Sequence, residues 1–193
     1  MGGMTGERRL GRPRSEGTRT AILTAALEEL ESGGYAALTI DGIARRAGCG
    51  KQTIYRWWPS KADVVLEALL ERAETTIEIP DEGSLSDDLL AFLTATFRQR
   101  GQRPTLVGLM AQALLDPVFA TAFKEKFLFR RRAALRVVLE RAAARGELAE
   151  GADLELLMDV VYGVLWYRLL LDHAPLDEPA AERLAALIVR ATR

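Results

Sequence analysis

Apolar residues recur every three or four positions along most of this 193-residue chain, and no stretch alternates apolar and polar residues for the length of a strand. A chain patterned this way can bury its apolar groups only by packing helix against helix, so the expected fold is all-α. Ile22, Leu23, Ala26, Leu27 and Leu30 share one face of a helix over residues 16–32. Gly33-Gly34 stops it, because glycine accepts left-handed dihedrals. Thr39 can cap a second, short helix whose Ile40, Ile43, Ala44 and Ala47 lie on one side. Gly48 permits a sharp turn into a third helix over 51–57, which Pro59 ends. Ser60-Lys61-Ala62-Asp63 reads as a capping box that opens a fourth helix through Val64, Val65, Ala68 and Leu69. After a break at residues 80–83 the spacing predicts helices over 84–100, 104–115, 117–145, 153–173 and 178–192, with Asp116-Pro117 as a cap followed by proline. Nine helices are expected, with no internal repeat.

Several function classes are poorly served by this composition. The single cysteine, Cys49, allows no intramolecular disulfide and suits a reducing cytoplasm. With it goes any cysteine-built metal site, and no cofactor is expected. One His beside one Cys is poor material for nucleophilic or metal catalysis. His173, near a helix end, is expected to interact with terminal carbonyls, and Cys49 to act as a small apolar residue unless its pKa is lowered. Asp87-Asp88 reads as helix-start charge. The longest nearly apolar run, 160–167, is cut by Arg168 and is far too short to span a bilayer. Residues 1–14 lack the apolar stretch of a secretory signal, and the protein is expected to be cytoplasmic.

Net charge is −1, yet residues 1–67 carry ten Lys and Arg against eight Asp and Glu, leaving 16 and 19 for the rest. The positive share therefore sits with residues 39–61, where two short helices and a glycine turn can present the second helix to the major groove of DNA. On that second helix Ile54 and Trp58 face inward, leaving Lys51, Gln52, Thr53, Tyr55 and Arg56 to reach out, all of them hydrogen-bond donors. Lys51 and Gln52, at its N-terminus, suit the acceptors of guanine and adenine. Thr39, Thr53, Tyr55 and Lys61 suit phosphate oxygens, which set position rather than sequence. For the Gly- and Arg-rich residues 1–14 two readings stand: an arm adding phosphate or minor-groove contacts through Arg8, Arg9, Arg12 or Arg14, and a solvated, flexible tail.

Residues 38–61, LTIDGIARRAGCGKQTIYRWWPSK, follow almost throughout the signature of the TetR family of bacterial transcriptional regulators, which this chain resembles over residues 16–70. The resemblance implies a homodimer in which three N-terminal helices, here within residues 15–60, bind a palindromic operator. It also implies a divergent helical body, here 61–193, that takes a small-molecule inducer and dimerises. It puts the positions of Thr39, Tyr55 and Lys61 on phosphates and those of Asp41, Lys51 and Gln52 near bases. Gly50, where a polar residue or alanine is more usual, and Trp57-Trp58, where histidine or tyrosine precedes phenylalanine, depart from the pattern, so operator preference does not carry over.

In the body, Phe92, Phe97, Met110, Phe119, Phe123, Phe127, Met158, Tyr162 and Trp166 can line an apolar ligand pocket or simply fill a core. The ligand candidates are Phe92, Met110, Phe123, Phe127, Tyr162 and Trp166, with Gln112 as the polar group to watch. The last two helices are apolar on more than one side and so need more than one partner. Leu157, Val161, Val164, Leu165, Leu184, Leu187 and Ile188 are the expected dimer contacts. The expected partners are thus double-stranded DNA, a second copy and a small, apolar inducer, with no membrane.

Overall fold

The computed structural model describes residues 13–73, 79–98 and 102–192. Every regular element among them is helical. The chain divides into two compact units, Met1–Leu69 and Leu70–Arg193.

In the first unit, α1 spans Pro13–Ala37, with Gly34 in a left-handed conformation (φ 70°) where the chain breaks its regular course. Pro13 and Arg14, expected in the N-terminal arm, already belong to α1. The rest of that arm lies outside the described residues. α2 spans Ile40–Ala47, capped by Thr39, whose hydroxyl accepts the Gly42 N–H at 3.0 Å. It ends at Gly48, left-handed at φ 65°. Two glycines matter here to different degrees, since the Glu29 carboxylate beside Gly42 can shift aside. Gly48 supplies a dihedral that side chains resist, whereas a Cβ on Gly42 would stand 2.7 Å from the Glu29 carboxylate, where α1 and α2 pack. α3, Lys51–Tyr55, follows, and α4, Lys61–Ala73, begins in this unit and ends in the next. The expected capping box forms: Ser60 N–H donates to Asp63 Oδ2 at 3.0 Å and Asp63 N–H to Ser60 Oγ at 3.3 Å. Ile22, Leu23, Ala26, Ile43, Ala44, Ile54 and Trp58 are buried.

The second unit holds α5 (Leu85–Phe97), α6 (Arg103–Leu115), α7 (Pro117–Phe123), α8 (Phe129–Ala144), α9 (Leu154–Leu171) and α10 (Glu178–Ala191). Side chains of Ser84, Asp116, Asp153 and Asp177 cap α5, α7, α9 and α10, each accepting a first-turn N–H, which offsets the unpaired donors of a helix start. The single helix expected over 117–145 is instead α7 and α8 joined by a π-helical turn, Lys124–Leu128. The core lies among α5, α8, α9 and α10.

The expected dimer contacts divide. Val161, Leu165, Leu184 and Ile188 are buried in this subunit's own core, and Leu157 and Val164 pack partly against it. Of the seven, Leu187, at 49%, is the one that is exposed. The outward face of α9 carries Leu156, Gly163, Tyr167, Leu170 and Leu171 instead, at helical spacing. Because α9 is apolar on two sides, periodicity alone does not say which side the subunit claims.

Asp87 and Asp88 lie in the first turn of α5, as expected, but Asp88 is not a solvated charge. It is fully buried, accepting the Glu82 N–H at 2.5 Å and a guanidinium N–H of Arg145 at 2.9 Å. Beside it Glu147 accepts the Leu85 N–H at 2.6 Å. That N–H, and next the Arg145 guanidinium, hold the Glu147 carboxyl below its ordinary 4.5. A carboxyl whose pKa is depressed by folding contributes stability above its unfolded pKa and loses it as pH falls through the folded value. Glu147→Gln is therefore expected to lower the melting temperature at pH 7 by a few degrees at most and to flatten the stability profile below pH 4.5. Melting curves from pH 3 to 7 check this. An unchanged acid limb would show that the carboxylate contributes nothing.

Candidate DNA interface and ligand cavity

α3 is short because its neighbours, not its own five residues, hold it in place. Ile54 is fully buried, and Trp58, 3% exposed, donates its indole N–H to Glu67 at 2.8 Å. Glu67 in turn accepts Arg19 of α1 at 2.9 Å. With Ile54 and Trp58 turned in, Lys51, Gln52, Tyr55 and Arg56 are exposed and Thr53 is half-buried. Tyr55 is 53% exposed, a large aromatic with a hydroxyl that no fold requirement explains.

The remaining candidates surround that face, some already engaged. Lys51 pairs with Asp41 at 2.8 Å, and this carboxylate raises the Lys51 pKa. Asp41 is thus positioned to steer the Lys51 ammonium. Thr39 spends its acceptor on the α2 cap but keeps its O–H donor. Lys61 donates to the carbonyls of Tyr35 and Leu38 at 3.1 and 3.0 Å and lies 4.7 Å from the centre of the Tyr35 ring. A lysine has three N–H groups, so one is left to point elsewhere. Gly50 precedes α3 with no side-chain cap. Cys49 sits in the turn, and burial raises its thiol pKa, the opposite of what a reactive thiolate requires.

The second unit contains a cavity of about 430 Å³, within the usual range of ligand sites. Phe127, Tyr162 and Trp166 line it, as does Phe97. The other candidates fall elsewhere. Phe92 belongs to the core, Phe123 is 1% exposed between Phe119 and Phe127, and Met110 is not among the lining residues. Gln112 donates to Asp116 at 3.4 Å and is likewise off the cavity. Sequence reasoning missed Arg103, Arg131, Arg168 and Asp172, which also line it, since arginines in helices ordinarily read as solvated charge. The interruption of an apolar run by Arg168 was the available signal. His173, expected to interact with terminal carbonyls, lines the cavity and meets the Tyr167 ring at a tilt, the ring centres 4.4 Å apart.

Among the described residues no group of three or more His, Cys, Asp or Glu could hold a metal, and no helix is long and apolar enough to cross a membrane.

Residues 22–68 match the family "Bacterial regulatory proteins, tetR family", and residues 79–188 the "Tetracyclin repressor-like, C-terminal domain". The chain is 38% identical over 163 residues to the HTH-type transcriptional regulator YdeS of Bacillus subtilis, covering 83% of this chain and 82% of that one. It is 33% identical over 175 residues to the DNA-binding transcriptional repressor TetR of Mycobacteroides abscessus, covering 89% and 91%. It superposes on the crystal structure of the TetR family transcription regulator SCO0332 with a TM-score of 0.76 at 32% identity, covering 91% and 98%. The outward donors of α3 thus belong to a helix-turn-helix transcriptional regulator. Within that class the chain is a member of the TetR family.

Proposed function

We propose that this protein is a cytoplasmic repressor that binds a palindromic operator as a homodimer and leaves it when a small molecule fills the cavity of the second unit. The reading is carried by α3, which turns Lys51, Gln52, Tyr55 and Arg56 outward while Ile54 anchors it. Lys51 and Gln52 read base edges, with Asp41 orienting Lys51. Thr39, Thr53, Tyr55, Arg56 and Lys61 hold phosphates. The second copy covers the outward stripe of α9 together with Leu187 of α10. Gly163, with open space where a Cβ would stand, lets another helix approach closely.

Release follows from chain continuity. α4 starts at Lys61 in one unit and ends at Ala73 in the other, so a ligand that favours one setting of α4 changes the separation of the two reading helices. That separation must match the helical repeat of DNA, about 34 Å or a multiple. Both ligand and operator then shift one equilibrium in opposite directions.

Selection of genomic fragments by the purified protein at stated salt tests this. A short palindrome should emerge. Tyr55→Phe should weaken every site several-fold, since one hydrogen bond is worth about 1 kcal/mol. Gln52→Ala should relax preference at one base, by roughly 1–3 kcal/mol of discrimination. Lys61→Ala should weaken binding uniformly, with its melting temperature measured alongside because it also uncaps two carbonyls. Retention of no specific fragment would leave the helix-turn-helix without its proposed role.

A further inference from the structure

A carboxylate is an unfavourable neighbour for DNA, whose phosphates repel it. Asp41 nevertheless stands beside the face proposed above to meet the operator, and the inference drawn from it rests on that reading. It lies in the first turn of α2, and its carboxylate is 2.8 Å from the ammonium of Lys51, the first residue of α3. The two side chains are 65% and 55% exposed, so the core claims neither. A favourable charge at the start of α2 accounts for Asp41 alone, not for the lysine that the next helix sets against it.

The bond between them takes one N–H of the ammonium's three and one of the carboxylate's roughly four acceptor sites. What the pair then offers outward is a donor and an acceptor side by side. The major-groove edge of a base pair offers the complement. Across a G·C pair the guanine O6 accepts from the cytosine N4 amino group, so acceptor and donor sit about 2.9 Å apart, close to the 2.8 Å between Nζ of Lys51 and Oδ1 of Asp41. Guanine N7 adds a second acceptor on the ammonium's side. The other pairs fit worse. T·A set the same way round offers O4 to the ammonium and the N6 amino group to the carboxylate, but it places the thymine methyl beside the ammonium and the adenine N7 acceptor beside the carboxylate. C·G and A·T reverse the polarity, setting an amino group against the ammonium and a carbonyl oxygen against the carboxylate.

We propose that Asp41 and Lys51 act as one unit that reads a single G·C base pair in each operator half-site, Lys51 on guanine O6 and N7 and Asp41 on the cytosine N4 amino group. Asp41 is then a specificity-determining residue and not only the group that orients Lys51.

Random-sequence double-stranded DNA, selected on the full-length protein at stated salt and then titrated as single-position variants, tests this. Each half-site is expected to hold one G·C pair at which the protein discriminates roughly 5- to 100-fold against the other three pairs, the range for one well-placed contact. Asp41→Ala and Lys51→Ala should both relax that same position and leave preference elsewhere intact. Exchanging the two residues, Asp41→Lys with Lys51→Asp, should invert the selected pair to C·G. A profile unchanged by Asp41→Ala would reduce Asp41 to a helix-start charge and overturn the assignment, as would relaxation of different positions by the two alanine variants or retention of G·C by the exchanged pair. Melting temperatures of the variants separate lost recognition from lost folding. A palindrome selected without such a position removes only the paired reading, whereas no selection by the unaltered chain takes the regulatory reading with it.

Discussion

Placing arginine at both Tyr167 and Leu171 is expected to yield a monomer whose affinity for the full palindrome falls at least about 100-fold. Both side chains stand on the outward stripe of α9, 59% and 60% exposed, so the subunit does not need them for its core. A second copy does. Covering that stripe would bury two guanidinium groups per subunit against apolar surface with no partner supplied, a cost that an obligate apolar interface cannot absorb. The loss on DNA then exceeds any single contact, because joining two reading heads raises affinity by about 10²–10⁴ without adding a contact. Sedimentation gives the assembly state, and titration on full and half palindromes gives the affinities. Half-site binding should be nearly unchanged. A variant that remains dimeric would move the interface away from α9.

The second large effect is expected at Trp58. Trp58→Ala should destabilise the first unit by about 3–5 kcal/mol, the usual cost of truncating a buried tryptophan. The indole is 3% exposed, meets Trp57 edge to face at 5.4 Å and donates to Glu67. Its removal leaves a void behind α3 and takes one donor from a carboxylate that also serves Arg19. Trp58→Phe keeps most of the volume and should cost about 1 kcal/mol, the net worth of one hydrogen bond, because Glu67 keeps Arg19. Denaturant unfolding followed by circular dichroism separates the two. Equal losses would mean that volume matters little and that the Glu67 hydrogen bond carries the effect. DNA binding should fall with the folded fraction, since Trp58 does not face outward.

The helices were readable because their signals are local. Thr39, Ser60, Asp116, Asp153 and Asp177 each place an oxygen over a helix start, and Gly34 and Gly48 take dihedrals that other residues resist. The outward face of α3 was readable for the same reason, since five residues beside a buried Ile54 admit one arrangement. What required the structure depends on neighbours distant in sequence. α9 presents apolar residues on two sides, and only the packing of α5, α8 and α10 shows which side this subunit uses. Leu165 was expected at a dimer contact and lines the cavity instead, while Phe92 was expected at the ligand and fills the core. Arg131 sits in a run of three arginines that resembles solvated charge until Phe127 and Tyr162 are placed around it.

The π-helical turn at Lys124–Leu128 has a consequence for angular phase. At 100° per residue, the directions of Phe119, Phe123 and Phe127 in an unbroken helix would differ from those of Ala134, Leu135, Val138, Leu139 and Ala142 by roughly 90° on average, although all eight are buried. One surplus residue in the turn restores the alignment. The apolar positions on either side were thus written for a helix that slips by one step. A chain lacking that residue would still coil continuously, but the apolar faces before and after the turn would point about a quarter-turn apart.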